Sequence, residues 1–457
     1  MIAPITRELA AFVSGLRFAQ IPGDGLPVIA MGFTDCVGVM IAGRNEPPTQ
    51  LLQSVLAPQG GESSLLFGQE RASAADAAWI NGTAAHALDY DDVALRGHPS
   101  TAIVPAILAE AEALGADGRA MATAYAAGYE TWAELVRRDP DQHHTKGWHP
   151  TGIFGAIAAA AACASLRGLD AEQTTHALAL GASQSAGLMA NFGTMTKPFH
   201  AGRAAQAGVV SARLAAAGFT AAADALEHPQ GFLAAVSPAG NYDATAPVEA
   251  GKDWKLPRSR LSVKKYPMCF ATHRALDGML DLLREQKLAP SDVRKISVSI
   301  SRRNIAMLRN RQPQTGLEAK FSMQFAMASA VLAGRATLTE LSDAFVRRAD
   351  VQELMRRVEV LPEDRLDPNP NAAGNAIHDQ VTVETTNGAI LKGAEVNMVR
   401  GGPDKPLSRE ELWTKFADCA QAGALPVDGR ALFDALMALP DLVDARQLAG
   451  LGGPTPA

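Results

Sequence analysis

The sequence predicts a mainly α protein: a large all-helical domain with a smaller α+β domain inserted late in the chain. Three observations carry this. From the N-terminus to about residue 240, apolar residues recur three and four apart in Ala/Leu-rich stretches, broken by clusters such as LGADGRA and LRGLDAEQ. Near 265–300 the period changes, and Ile296, Val298 and Ile300 alternate in RKISVSI as on a half-buried strand. After residue 400 helical signals return. The boundaries implied are 1–264 for the N-terminal part of the helical domain, 265–395 for the α+β domain and 396–457 for the return.

At the N-terminus, Leu9, Phe12, Val13 and Leu16 mark one face of a helix, without the basic start and continuous apolar core of a signal peptide. The weakly polar run GIFGAIAAAAACASL at 152–166 is short and alanine-rich for a bilayer span and reads as a buried helix. In LEAKFSMQFAMASAVLAG, Phe321, Phe325, Ala328 and Val331 have helical spacing. The β runs are RVEVLP at 357–362 and QVTVETTNGAILKGAEV at 380–396, where Asn387-Gly388 is the dipeptide of a type I′ hairpin turn. Ser408 and Glu411 form a capping box that opens the last helical region, and the tail at 450–457 reads as loose.

A chain of 457 residues exceeds what one core serves, and roughly two to three domains are expected. With 47% hydrophobic and 20% charged residues the composition is globular. Forty-two Lys+Arg against 48 Asp+Glu give a net charge of -6, which argues against nucleic acid or an anionic membrane as partner. Four scattered cysteines without a C-x-x-C pair fit free thiols and a cytoplasmic setting.

Three motifs place a basic or titratable side chain before proline at the entry to a helical run: His98-Pro99, His149-Pro150 and Lys197-Pro198. Proline suits the first helical turn, and helix N-termini bind anions. If the three ends converge they make a cationic pocket for a carboxylate or phosphate; otherwise they only mark helix starts. HALDYDD sets Asp89, Asp91 and Asp92 at a helix end where the dipole disfavours them. They suit a divalent cation, or one Asp that orients a histidine, or a solvated turn. KKYPMCFATHR carries Lys264, Lys265, Tyr266, Cys269, His273 and Arg274 at the domain junction, as one wall of a pocket or as a basic hinge. Nucleophile-elbow, phosphate-loop and H-E-x-x-H motifs are missing from the sequence. Histidine, lysine and an orienting aspartate suffice to take a proton α to a carboxylate and to protonate a leaving group, with no cofactor or metal.

The strings NGTAAHALDYDD with HPST, GWHPTGIFGA, ANFGTMTKPFHAGRAAQAG, RLSVKKYPMCFATHR, EAKFSMQFA and RGGPDKPLSREELWTKF together resemble the MmgE/PrpD family. That family contains 2-methylcitrate dehydratases, cis-aconitate decarboxylases and an iminodisuccinate epimerase. The resemblance implies a helical domain, an α+β lid, a homodimer and a cofactor-free, metal-free site for a small polycarboxylate. By motif it carries over Asp89, His98, His149, Lys197 and His273 as catalytic, with His200, Arg203, Lys265 and Arg274 as candidate substrate contacts. His149 and Lys197 would exchange the proton, His98 and His273 would bind carboxylates or assist the leaving hydroxyl, and Asp89 would hold a histidine tautomer. One position departs, because FSMQF puts Phe325 where the decarboxylase pattern has tyrosine, and a phenyl ring donates no proton. The expectation is therefore a hydro-lyase of the 2-methylcitrate dehydratase kind. A dicarboxylate epimerase, a cis-aconitate decarboxylase, a non-catalytic carboxylate binder and a metal-dependent hydratase are the alternatives.

Overall fold

The computed structural model describes residues 2–368, 374–425 and 429–452; most of the tail expected to be loose lies outside the described residues. The chain forms two compact units, one of residues 1–262 with 413–457 and one of residues 263–412.

The larger unit is helical, and its helices start where the sequence supplies caps. Ser73 accepts from the Asp76 amide at 3.2 Å to open Ala74–Ala87, and Asp117 accepts from Ala120 at 2.8 Å to open Gly118–Arg138. Prolines in the first turn open Pro99–Leu114 and Pro150–Leu166, with His98 and His149 as the N-caps. Thr196–Ala216 carries Lys197 at its second residue. Small side chains let these helices approach closely: Ala102, Ala156, Ala204 and Ala207 form one buried cluster. At Gly202 a Cβ would collide with the Trp79 carbonyl and the Thr83 side chain, so Thr196–Ala216 lies directly on Ala74–Ala87. That contact brings the start of one helix beside the end of the other.

Leu26–Gly43 is the one helix among the described residues long and apolar enough to cross a membrane, and 83% of it is buried within the protein. It is longer than the 152–166 run, and it carries a buried Asp35. The 152–166 run is a buried helix, as its composition implied. All four cysteines are free and buried.

The smaller unit holds a four-stranded sheet. A two-stranded ribbon of β1 (Ser63–Ser64) and β2 (Arg71–Ala72) belongs to the larger unit. The sheet consists of β3 (Val293–Ser301), β4 (Val358–Glu363), β5 (Gln380–Thr385) and β6 (Ile390–Lys392), in the order β4-β3-β5-β6. β3 runs parallel to β4 and antiparallel to β5. Ile296, Val298 and Ile300 point into a core shared with His273–Gln286, Met323–Ala333 and Ala349–Arg356. The β5-β6 turn is not type I′: only Gly388 takes a positive φ (+88°), while Asn387 accepts the Ala389 amide at 3.1 Å. Its Gly388 amide donates to Thr385 at 3.0 Å, which is the three-residue loop with a left-handed glycine.

Residues 396–412, grouped from the sequence with the C-terminal helical return, pack in the smaller unit. Val263 donates to the Gly401 carbonyl at 2.8 Å, and Arg400 donates to Asp277 and Asp281 at 3.1 and 2.7 Å. The capping box is formed: Ser408 donates to Glu411 at 3.0 Å and accepts from its amide at 3.2 Å.

Candidate functional site: a buried imidazole cluster

The helix Ala74–Ala87 ends in the acidic turn. Asp89 takes φ +52°, a left-handed conformation that aspartate tolerates better than most residues, and the reversal turns Asp91 and Asp92 back beneath the helix end. Lys415, from Arg409–Ala422, pins this turn by donating to the Tyr90 carbonyl at 2.8 Å. It also pairs with Asp35 at 2.5 Å and sits 4.1 Å over the Tyr90 ring.

The three basic helix starts do converge on the turn. Lys197 donates to Asp89 at 2.7 Å and lies 5.2 Å from the Phe192 ring centroid. His86 Nδ1 is 2.9 Å from Asp91 Oδ1, and His98 Nδ1 is 2.6 Å from Asp91 Oδ2 and 3.0 Å from the Asp92 carbonyl. His86 stacks on His149 with centroids 5.8 Å apart and lies tilted against His98 at 4.4 Å, and His149 Nδ1 faces His200 Nδ1 at 3.1 Å. Gly187 makes room for the last pair; its carbonyl accepts from the His149 amide at 3.0 Å, and a Cβ there would press on the His200 ring and the His149 Cβ.

Two expectations change. The carboxylate that fixes histidine tautomers is Asp91, not Asp89, because Asp89 is the partner of the Lys197 ammonium. The pocket is also less cationic than three basic helix ends implied. Burial pushes His86 down to about 4 and His149 far below its ordinary value, and burial with the Lys197 charge lowers His200. These rings are neutral at pH 7.

Neutrality fixes the protons. An ionised carboxylate only accepts, so His86 and His98 each carry hydrogen on Nδ1, and the neutral His86 presents a bare Nε2. His86 Nε2 is buried with no hydrogen-bond partner among the described residues. Burial works against the charge of Asp91, but the two imidazoles hold its carboxyl well below the usual range. Asp92 goes the other way: burial and the nearby Asp35 push its carboxyl well above that range. Between His149 and His200 one Nδ1 donates and the other accepts, which makes one ring a base and the other a donor through Nε2.

Ligand atoms of His86, Asp89, Asp91 and His98 lie within 4.8 Å of one another, a donor set that can hold a divalent cation. Lys197 already supplies Asp89 with a cation, and Asp91 is engaged by two imidazoles.

The remaining sequence-derived residues have identifiable surroundings. Arg203 stacks 4.8 Å over Trp79, a contact that orients it within the larger unit. His273, Lys265 and Arg274 belong to the smaller unit. His273 is buried, 3.2 Å from the Met268 carbonyl through Nε2 and stacked on Phe270. Lys265 pairs with Glu411 at 3.3 Å. Arg274, expected to meet a substrate carboxylate, meets Asp379 instead, at 2.7 Å in a buried pair, and donates to the Ala376 carbonyl. Phe325 is fully buried and edge-on to Phe345 in the core.

Sequence reasoning missed His86 and Lys415. His86 lies inside the quoted HALDYDD string, where a histidine five residues before Asp91 was the available signal. Lys415 gave none, because its partners are hundreds of residues away in the chain.

The MmgE/PrpD N-terminal domain matches residues 7–245, and the MmgE/PrpD C-terminal domain matches residues 266–432. A cis-aconitate decarboxylase of Homo sapiens is 28% identical over 473 residues, covering 100% of this chain and 96% of its own length. The Mus musculus cis-aconitate decarboxylase is 26% identical, with 99% and 94% covered. One from Aspergillus terreus is 24% identical, with 98% and 95% covered. Two domain matches in order along the chain, over the residues that build the cluster, make it a member of the MmgE/PrpD family.

Proposed function

We propose that this protein is a cofactor-independent lyase of a small tricarboxylate, with decarboxylation of cis-aconitate as the first reading. The observation that carries it is Lys197 held at 2.7 Å from Asp89 beside buried neutral imidazoles. The end-to-end similarity to cis-aconitate decarboxylases supports the choice of substrate.

Decarboxylation breaks a carbon–carboxylate bond, leaves the electron pair on carbon and needs one proton returned there. The Lys197 side chain, positioned by Asp89, is the donor in this reading, and Asp91 orients the His98 ring through its Nδ1. Dehydration needs more: a base for the proton α to a carboxylate and an acid for the departing hydroxyl. His98 or His149 would be the base and Lys197 the acid. Dehydration of a 2-methylcitrate-like acid is the second reading, favoured by Phe325 in place of tyrosine. Its weight is reduced because the Phe325 ring is a packing element in the core of the smaller unit. No observation favours an epimerase. Closure of the smaller unit as a lid and assembly as a homodimer belong to this proposal, and sedimentation checks the dimer.

The test is product analysis by NMR with cis-aconitate and 2-methylcitrate supplied separately. Carbon dioxide with an unsaturated diacid from cis-aconitate supports the first reading. An unsaturated tricarboxylate from 2-methylcitrate alone supports the second. No turnover of either refutes both.

A further inference from the structure

Residues 293–317 contain Arg294, Lys295, Arg302, Arg303, Arg309 and Arg311 and no carboxylate, a basic run that the lyase chemistry leaves unused. Part of it lines a cavity of about 780 Å³ built wholly from the smaller unit. Five cations face it, Arg294, Lys295, Arg311, Arg356 and Arg357, against two carboxylates, Glu359 and Glu384. Some of that charge is balanced locally: Lys295 pairs with Glu359 at 2.7 Å, Arg294 pairs with Glu384, and Arg356 and Arg357 share Glu353 at 3.0 and 3.3 Å. Arg311 has no carboxylate partner among the described residues.

The floor is apolar, from Ile305, Leu308, Met323 and Met355. Gln324 also lines the cavity; it is 8% exposed, and its amide makes no hydrogen bond among the described residues. That amide faces the cavity and leaves a donor and an acceptor open to an occupant. The cavity lies within the roughly 300–1,000 Å³ range of small-molecule sites and exceeds what a tricarboxylate fills. Arginine forks match phosphate oxygens in pairs.

We propose that the smaller unit carries a second binding site, for a phosphate-bearing small molecule with an apolar body. Its phosphates meet the arginines around Arg311, its body lies on the methionine and leucine floor, and the Gln324 amide bonds a polar group of that body.

The experiment is calorimetric titration of the full-length Lys197→Ala variant with ATP and with inorganic tripolyphosphate; the variant takes the Lys197 cation out of the imidazole cluster. One saturable site is expected, with ATP bound about tenfold more tightly than tripolyphosphate, since the latter lacks a body. Arg311→Ser weakens ATP by about tenfold, the usual effect of losing a charged hydrogen bond. Gln324→Met weakens ATP binding while holding or raising the melting temperature, a combination that a purely structural Gln324 would not give. Absence of saturable binding, or equal affinity in both variants, overturns the proposal. Turnover by Arg311→Ser in the otherwise native protein is expected to be unchanged, so failure here leaves the lyase reading separately testable.

Discussion

In the larger unit Asp91, Asp92, His86, His149 and His200 are out of water, and Asp91 is met by His86 and His98. In the smaller unit the basic residues from 293 to 311 mostly stay at the surface, several of them paired with carboxylates there. The difference is one of solvent. A buried group cannot be screened, so its protonation state is set by one or two neighbours, and it is fit for proton transfer. An exposed arginine keeps its ordinary charge and suits anion binding, with little effect on folding.

The largest effect that would break this comparison is at Lys197. Lys197→Ala is expected to lower kcat by about 10²- to 10⁴-fold, the usual worth of a positioned acid or base, with circular dichroism unchanged. Asp91→Asn follows, because an amide offers a donor to one imidazole and reverses its tautomer. A loss of about 10²-fold in kcat with a displaced pH–rate profile is expected there. Asp89→Asn should lower the rate without moving the histidine limb of that profile, which separates the two aspartates.

Arg274→Met tests whether the smaller unit also contains a consequential buried charge. Removing one partner of a buried pair costs about 3–5 kcal/mol, so thermal stability should fall markedly while kcat of the folded protein changes little. A smaller, pH-dependent effect is expected at His86. Its folded value of about 4 lies below the ordinary 6.5 or so, so the unfolded chain binds more protons between those values. The His86 contribution to stability is therefore present above about pH 6.5 and lost as pH falls toward 4. Denaturation of the wild type and of His86→Asn should show a stability difference that grows with pH across that window and then levels. At the bottom of the scale, Ser408→Ala removes an exposed cap and should cost about 1 kcal/mol by chemical denaturation.

Much of this was legible in the sequence for local reasons. The helix starts at Pro99, Pro150 and Thr196, the alternation of Ile296, Val298 and Ile300, and the Ser408–Glu411 box are all encoded within a few residues. Lys197 and the two proline-adjacent histidines could be singled out because helix ends carry a local electrostatic rule. The assignment of Asp89 rather than Asp91 as orienter failed because the choice depends on a left-handed residue and on Lys197, 108 residues away. Neutral imidazoles were not foreseeable either, since desolvation arises from the packing of whole helices. The Asn387-Gly388 turn shows the limit at short range: the dipeptide permits type I′, but the Asn387 side chain closes a different loop.

The measurement that bears most directly on the central claim is turnover of cis-aconitate in D₂O by the wild type and by Lys197→Ala, followed by proton NMR. The account predicts a decarboxylated product carrying one solvent deuterium on the carbon that receives the electron pair, formed by the wild type and slowed about 10²-fold or more in the variant. Equal rates in the two proteins would contradict it.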